Sequence, residues 1–232
     1  MGQAIADLLF PPRCVGCHGL GAWLCGRCLA TVEAIRPPVC DGCGWPLPQP
    51  VAATAALCPR CHSSPFQLDG LRAFGFHSHT LRTAIHEFKY EGLYSLAAPL
   101  GQAMSQAWPE LAPNLPIDVI VPVPLHASRE RERGYDQAAL LAGEVGRGLG
   151  CPVVTGCLIR TRRTRPQVGL DAAQRQANVA DAFACAPGRL SGRQVLLIDD
   201  VCTTGATLEA AAAALRGAGA RAVRAYTLAR AR

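Results

Sequence analysis

The sequence predicts an α/β fold, a parallel-sheet type I phosphoribosyltransferase-like domain preceded by a small metal-binding module. Three observations point there. After residue 70, short β-branched runs alternate with segments of helical period. Before residue 62, eight of the twelve cysteines fall into four CxxC pairs. One buried-strand pattern runs into two adjacent acids and a threonine-rich turn. The 232 residues span one to two domains at about 150 residues each. Half of them are hydrophobic and 17% are charged, which excludes an intrinsically disordered chain. No run approaches about 18 consecutive apolar residues, so no transmembrane segment is expected. Met1 to Phe10 lacks a basic region and runs into Pro11 and Pro12, so it does not read as a secretory signal. A cytoplasmic, reducing setting is therefore expected, where paired cysteines point to metal or redox chemistry.

The cysteines divide the chain. Cys14, Cys17, Cys25, Cys28, Cys40, Cys43, Cys58 and Cys61 form the CxxC pairs, whereas Cys151, Cys157, Cys185 and Cys202 stand alone. A CxxC turn brings two thiolates to one ion, and two such knuckles supply the four sulfurs of tetrahedral Zn²⁺. Four knuckles imply two structural zinc ions. The simplest pairing is sequential, Cys14/Cys17/Cys25/Cys28 and Cys40/Cys43/Cys58/Cys61, with an interleaved pairing left open by spacing. A disulfide cluster or an iron–sulfur site are the competing readings. His18 and His62 neighbour cysteines, but the cysteines already close both sites. A segment of about 60 residues is marginal alone and would draw folding energy from its metal. The expected domains are 1–66, a double zinc ribbon, and 67–232, the α/β domain.

In the second part the spacing predicts a strand over Leu71 to His77 and helices over Thr80 to Lys89 and Leu93 to Trp108, the latter weakened by Pro99. Ile117 to Val121 reads as a buried strand stopped by Pro122, and Tyr135 to Leu149 as a helix. Strands are expected over Pro152 to Thr155, Val195 to Ile198 and Ala222 to Leu228, and an alanine-rich helix over Thr207 to Arg216. Alternation of this kind makes a parallel sheet covered on both faces. Ligands bind such sheets beyond the carboxyl ends of strands, which directs attention to 122–134 and 199–207.

VLLIDDVCTTGAT, Val195 to Thr207, reads as chemistry. Asp199 and Asp200 can accept hydrogen bonds from a sugar diol. Thr203, Thr204 and Thr207 offer hydroxyls, Gly205 bends the chain, and the following helix start offers unpaired amides to a phosphate. The stretch resembles the phosphoribosyl pyrophosphate motif of type I phosphoribosyltransferases. That resemblance implies a phosphoribosyl site made by Asp199, Asp200, Cys202, Thr203, Thr204, Gly205, Ala206 and Thr207. Cys202 in this loop is also a candidate for oxidation that would block the phosphate site.

Net charge is +6, and 22 of the 23 cations are arginine. VPVPLHASRERERGYDQA, Val121 to Ala138, looks like the loop that contacts pyrophosphate in the same fold, with Arg129, Arg131 and Arg133 as anion contacts. Glu130 and Glu132 alternate with them, and a self-neutralised solvated loop is the competing reading. Arg160 to Asn178 looks like the mobile loop that closes over substrate, with Arg163, Arg165 and Arg175 as anion contacts. An arginine-rich linker on nucleic-acid backbone is its alternative. Lys89, the single lysine, stands out in HEFKYEG as a further anion contact.

The cysteine block, FKYEG, VPVPL, RERGYDQA, RTRPQ and DDVCTTGAT, taken in this order, resemble the ComF family from Leu9 to about Arg230. The resemblance implies a competence-associated role in DNA uptake and natural transformation, on or beside internalised single-stranded DNA and a helicase-type motor. Asp136 stands where the family often shows Asn, and Cys202 replaces a bulkier residue. Catalysis is left open. One reading is a Mg²⁺-dependent phosphoribosyltransferase moving ribose 5-phosphate to an unidentified base or amine. The other is a binding protein that uses the site to sense or grip phosphorylated ligands, with Trp23, Trp45 and Phe66 as the few aromatics near the ribbons.

Overall fold

The computed structural model describes residues 11–48, 56–162 and 181–232. In chain order these form α1 (Gly26–Ala30), α2 (Pro59–Ser63), β1 (Leu71–Phe76), α3 (His79–Tyr90), a 3₁₀ turn (Tyr94–Leu96) and α4 (Ala97–Leu111). Then come β2 (Val119–Pro122), α5 (Ala127–Arg133), α6 (Gln137–Leu149), β3 (Leu158–Arg160), β4 (Phe183–Cys185), β5 (Gln194–Cys202), α7 (Ala206–Gly217) and β6 (Ala222–Arg230). The main sheet has the order β1-β6-β5-β2, every pair parallel, and β3 and β4 form a separate antiparallel pair.

Periodicity explains which faces are buried. Leu81, Ala84, Ile85 and Phe88 line one face of α3 at helical spacing and join the core cluster containing Leu196, Ile198 and Tyr226. Val195 and Leu197, the alternate residues of β5, face the opposite cluster with Leu208, Ala211 and Leu215 of α7. The sheet is thus covered on both faces, as parallel sheets are. Tyr226 is fully buried and donates its hydroxyl to the Met104 carbonyl at 2.9 Å, tying β6 to α4. Pro99 does not break its helix: it occupies the third position of α4, where a backbone N–H has no intrahelical acceptor.

Four expectations need correction. Pro152 to Thr155 is not a strand; a single parallel bridge joins Val153 to Ile120. The segment expected as a basic loop contains a helix, α5, capped at one end by His126, which accepts from the Ser128 N–H, and at the other by Gly134 with φ +84°. β5 does not end before the acids but runs through them to Cys202, because β6 pairs with it that far. β3 and β4 went unread because strands of three residues leave no resolvable period.

The cysteine-rich segment packs on the sheet. Residues 33–35 run antiparallel to β1: Ala34 bridges Gly75, Ile35 N–H donates to Phe74 O and Phe76 N–H to Glu33 O, both at 2.9 Å. This covers an edge that would otherwise present free backbone groups. The second half docks beside it, with Leu71 N–H on Gly42 O at 2.9 Å. Arg72 donates to the carbonyls of Leu111, Asp41 and Cys40 at 2.9, 3.1 and 3.3 Å. Gly44 has φ +68°, and a Cβ there would lie 2.3 Å from the Leu71 carbonyl oxygen. We expect Gly44→Ala to lower unfolding free energy by at least about 2 kcal/mol, read by chemical denaturation of the zinc-loaded protein.

Candidate metal centres and phosphoribosyl cleft

Each CxxC set converges. The Sγ atoms of Cys14, Cys17, Cys25 and Cys28 all lie within 4.8 Å of one another, and so do those of Cys40, Cys43, Cys58 and Cys61. The geometry adopts the sequential pairing. All twelve cysteines are free thiols, which removes the disulfide reading. Backbone donors prepare the sulfurs: Cys25 N–H reaches Cys14 Sγ at 3.3 Å, and Cys58 N–H reaches Cys40 Sγ at 3.3 Å. Burial opposes ionisation of Cys14, yet the N–H groups of Cys25, Cys17 and Gly16 outweigh it and bring the thiol down to about 6. Cys40 likewise comes down to about 7, burial being outweighed by donors from Cys43, Cys58 and Gly42. Four closely grouped sulfurs with thiolate character fit structural Zn²⁺. The second set is wholly buried, while Cys17 of the first is exposed. His18 and His62 stand outside both sets.

The acids end β5 where β2, α3, α5 and α7 meet. Asp200 is 4% exposed. Lys89, at the last turn of α3, places Nζ 2.8 Å from Asp200 Oδ1. Asp200 Oδ2 is buried and has no hydrogen-bond partner among the described residues. Asp199 is pushed up to about 8, first by burial and then by the neighbouring Asp200 carboxylate, with Lys89 pulling the other way. The lone lysine therefore does meet an anion, one belonging to the protein.

A cleft opens on this pair. It is lined by Lys89, Tyr90, Arg129, Arg133, Arg160, Asp199, Asp200 and Thr207, among others. Helical geometry selects its arginines: Arg129 and Arg133 are one turn apart on α5 and share a face, whereas Arg131 is exposed outside the lining. Arg133 lies over the Tyr90 ring at 5.6 Å and donates to Gln137. Arg160, at the end of β3, lies over the Phe183 ring at 5.3 Å. The sequence reading passed over it because it sits among the arginines of 160–165. Burial lowers its guanidinium against a raising influence from Asp199. Arg163, Arg165 and Arg175 lie outside the described residues.

The threonine loop divides. Thr207 faces the cleft, but Thr203 and Thr204 line cavities on the cysteine-rich side. Gly205 has φ +93°, and a Cβ there would lie 2.3 Å from Phe66 Cε1, so its glycine is required by conformation and by Phe66. Phe66 is thereby a packing residue beneath the loop. Thr204 Oγ1 accepts from Ala206 N–H at 3.4 Å at the start of α7. Cys202 is 2% exposed in the apolar cluster with Leu208 and Ala211, and burial pushes its thiol up to about 11. An oxidation-sensitive role there is not what the structure provides; only its backbone is near the loop. Asp136 does not face the cleft as a free charge: its carboxylate accepts from Ala139 N–H at 3.0 Å and Leu125 N–H at 2.9 Å, capping α6. Among the described residues no helix is long and apolar enough to cross a membrane.

The chain matches the double zinc ribbon domain model over residues 5–62 and the phosphoribosyl transferase domain model over residues 136–232. It is 32% identical to Competence protein F of Haemophilus influenzae over 94% of this chain and 97% of that one. It is 28% identical to Competence protein ComFC of Bacillus subtilis, covering 89% and 84%. A solved glutamine phosphoribosylpyrophosphate amidotransferase from B. subtilis is 24% identical over 58% of this chain and 26% of that chain, with a TM-score of 0.40.

Two outcomes follow. Metal analysis of the purified protein should return one zinc for each of the two four-sulfur sets, and Cys40→Ser should lose the second without displacing the first. Asp199 binds a proton more tightly folded than unfolded, so its contribution to stability is full below the ordinary carboxylate range and is lost as pH rises through about 8. Asp199→Asn should therefore gain stability relative to the parent between pH 6 and 9, the gap widening with pH in paired denaturation curves.

Proposed function

The chain belongs to the ComF family, and from that premise we propose that it is a competence-associated protein of DNA uptake and natural transformation. It binds phosphoribosyl pyrophosphate or a related phosphorylated ribose in the cleft at the end of β5, and works in the cytoplasm on or beside internalised single-stranded DNA, together with a helicase-type motor. The observation that carries the ligand reading is the charge arrangement of the cleft. Asp200 keeps one buried oxygen without a partner, an acceptor in reserve for a sugar hydroxyl. Arg129, Arg133 and Arg160 supply cations for a pyrophosphate, and Thr207 with the first turn of α7 supplies donors for a 5-phosphate. The competence and DNA-uptake part rests on the names of the relatives. We take 1–66 as the ribbon module and 67–232 as the phosphoribosyl-binding domain.

The residues perform definite physical tasks under this reading. Lys89 holds Asp200 in place and offsets its charge until a ligand arrives. Asp199 must give up its proton for both acids to accept from the 2′ and 3′ hydroxyls, and the cations of the ligand-filled cleft favour that loss. Arg129 and Arg133 sit on a short helix whose ends are capped, so they meet the anion with little freedom to lose. The second reading, a Mg²⁺-dependent transferase, draws on the same cleft. Mg²⁺ carried with the pyrophosphate would neutralise its charge, with Asp199 and Asp200 in support.

Calorimetry with phosphoribosyl pyrophosphate and, separately, a short single-stranded oligonucleotide tests the proposal. Asp199→Asn combined with Asp200→Asn should abolish binding of the sugar phosphate while leaving both zinc ions in place, and unchanged binding overturns the site. Oligonucleotide affinity should fall with salt at a slope reporting the phosphates engaged, about 0.7 per contact. Pyrophosphate release across a panel of bases and amines separates the transferase from the binding protein.

A further inference from the structure

We propose that the second zinc ribbon and the carboxyl end of β6 together form a binding pocket for a planar, carbonyl-bearing nitrogen heterocycle, next to the phosphoribosyl cleft. The inference rests on the phosphoribosyl reading for what lies next door, and on its own cavity for the ring.

The cavity measures about 640 Å³, within the range of small-molecule pockets. One wall comes from the ribbon: Trp45, Arg60 and the ligands Cys43 and Cys58. The other comes from the sheet: Thr203 and Thr204 after β5, and Arg230 and Arg232 at and beyond the end of β6. Trp45 is 37% exposed, held edge-on against Phe76 with ring centroids 5.7 Å apart, and offers indole surface to a flat ligand. Its packing is set by the fold, so little freedom is lost when a ring stacks on it.

The polar lining is one-sided. It holds three guanidinium groups and two hydroxyls, and no carboxylate. Arg230 is 3% exposed, donates to the Cys43 carbonyl, and faces the buried thiolates that zinc would bind, so its charge is largely spoken for. Arg232 pairs with Glu33 and lies over Phe76 at 4.5 Å, keeping further N–H groups for a ligand. Arg60 is exposed, has no carboxylate partner among the described residues, and lies over Phe66 at 5.6 Å. A lining of donors without carboxylates matches a ring whose edge carries carbonyl oxygens, and disfavours one whose edge offers amino groups.

Position gives the pocket its meaning. β6 and β2 flank β5 on opposite sides. The arginines proposed for pyrophosphate lie on the β2 side, and this cavity lies on the β6 side, with Cys202 of β5 in register with Arg230 of β6. Thr203 and Thr204, which the sequence assigned wholly to the phosphate loop, are the partition between the two spaces. A ring seated here lies across the sugar site from the pyrophosphate, the side from which a ribose-bound partner must be approached. The ribbon is then part of a ligand site as well as a metal-stabilised module.

The test uses the full zinc-loaded chain, with tryptophan fluorescence and calorimetry. Uracil, hypoxanthine and adenine are titrated with and without saturating phosphoribosyl pyrophosphate, into the parent, Trp45→Leu and Arg60→Ala. Uracil or hypoxanthine should bind at least about tenfold more tightly than adenine, and each substitution should weaken that binding by about tenfold or more. Zinc content and affinity for the sugar phosphate should be unchanged in both variants. Arg60→Ala, at an exposed position, keeps the test valid where Trp45→Leu fails to fold. Absence of ring binding, preference for adenine, or binding indifferent to Arg60→Ala overturns the proposal. So does a response to oligothymidylate alone with free rings silent, which marks a strand-docking surface. Sugar phosphate bound without any ring sinks this inference and leaves the cleft standing, whereas ring bound without sugar phosphate sinks the cleft reading and leaves the pocket.

Discussion

Asp199 and Asp200 stand side by side at the end of β5, largely out of water, and adjacent carboxylates in such a place repel one another and resist ionisation. Much of the surrounding architecture meets that constraint. α3 delivers Lys89 to Asp200 from its last turn. α5 turns Arg129 and Arg133 toward the acids, and β3 brings Arg160. What remains unsatisfied, one oxygen of Asp200 and a proton that Asp199 holds, is what a polyhydroxylated anionic ligand would settle. The cleft is stable enough to exist alone and incomplete enough to bind.

The second constraint is the β1 edge. A parallel sheet that ends in an exposed strand invites pairing with another chain. Here the segment between the two knuckle pairs lies along β1, and the second knuckle set seats its backbone on Leu71 and Arg72. Zinc that orders the ribbons therefore also orders the cover of the sheet, and through Arg230 and Phe66 it reaches the back of the threonine loop. Metal binding, edge protection and loop shape are linked by direct contacts.

Much of this was legible in advance. The four knuckles announced their ligands, because zinc chemistry needs cysteines at short fixed spacing. The run from Val195 to Thr207 announced a ligand loop, because buried strand, paired acids and hydroxyls are a local pattern. Lys89 could be singled out by composition but not assigned a partner, since Asp200 is more than a hundred positions away. α5 was misread as a loop because alternating Arg and Glu carry no apolar period, and the separation of Arg129 and Arg133 from Arg131 appears only once the chain is helical. The single strand bridge at Val153 marks a different limit: residues of good strand propensity pair only where a neighbour is within reach.

The sequence by itself determined the metal chemistry, the α/β alternation, and which residues end β5, since each is written in spacings of a few residues. Only the tertiary structure decided where charges meet and which way side chains face. It paired Lys89 with Asp200, sent Thr203 and Thr204 to the ribbon side while leaving Thr207 in the cleft, buried Cys202, and made Phe66 a support for Gly205. These are outcomes of strand order and helix docking, which depend on contacts between distant segments that no local pattern records.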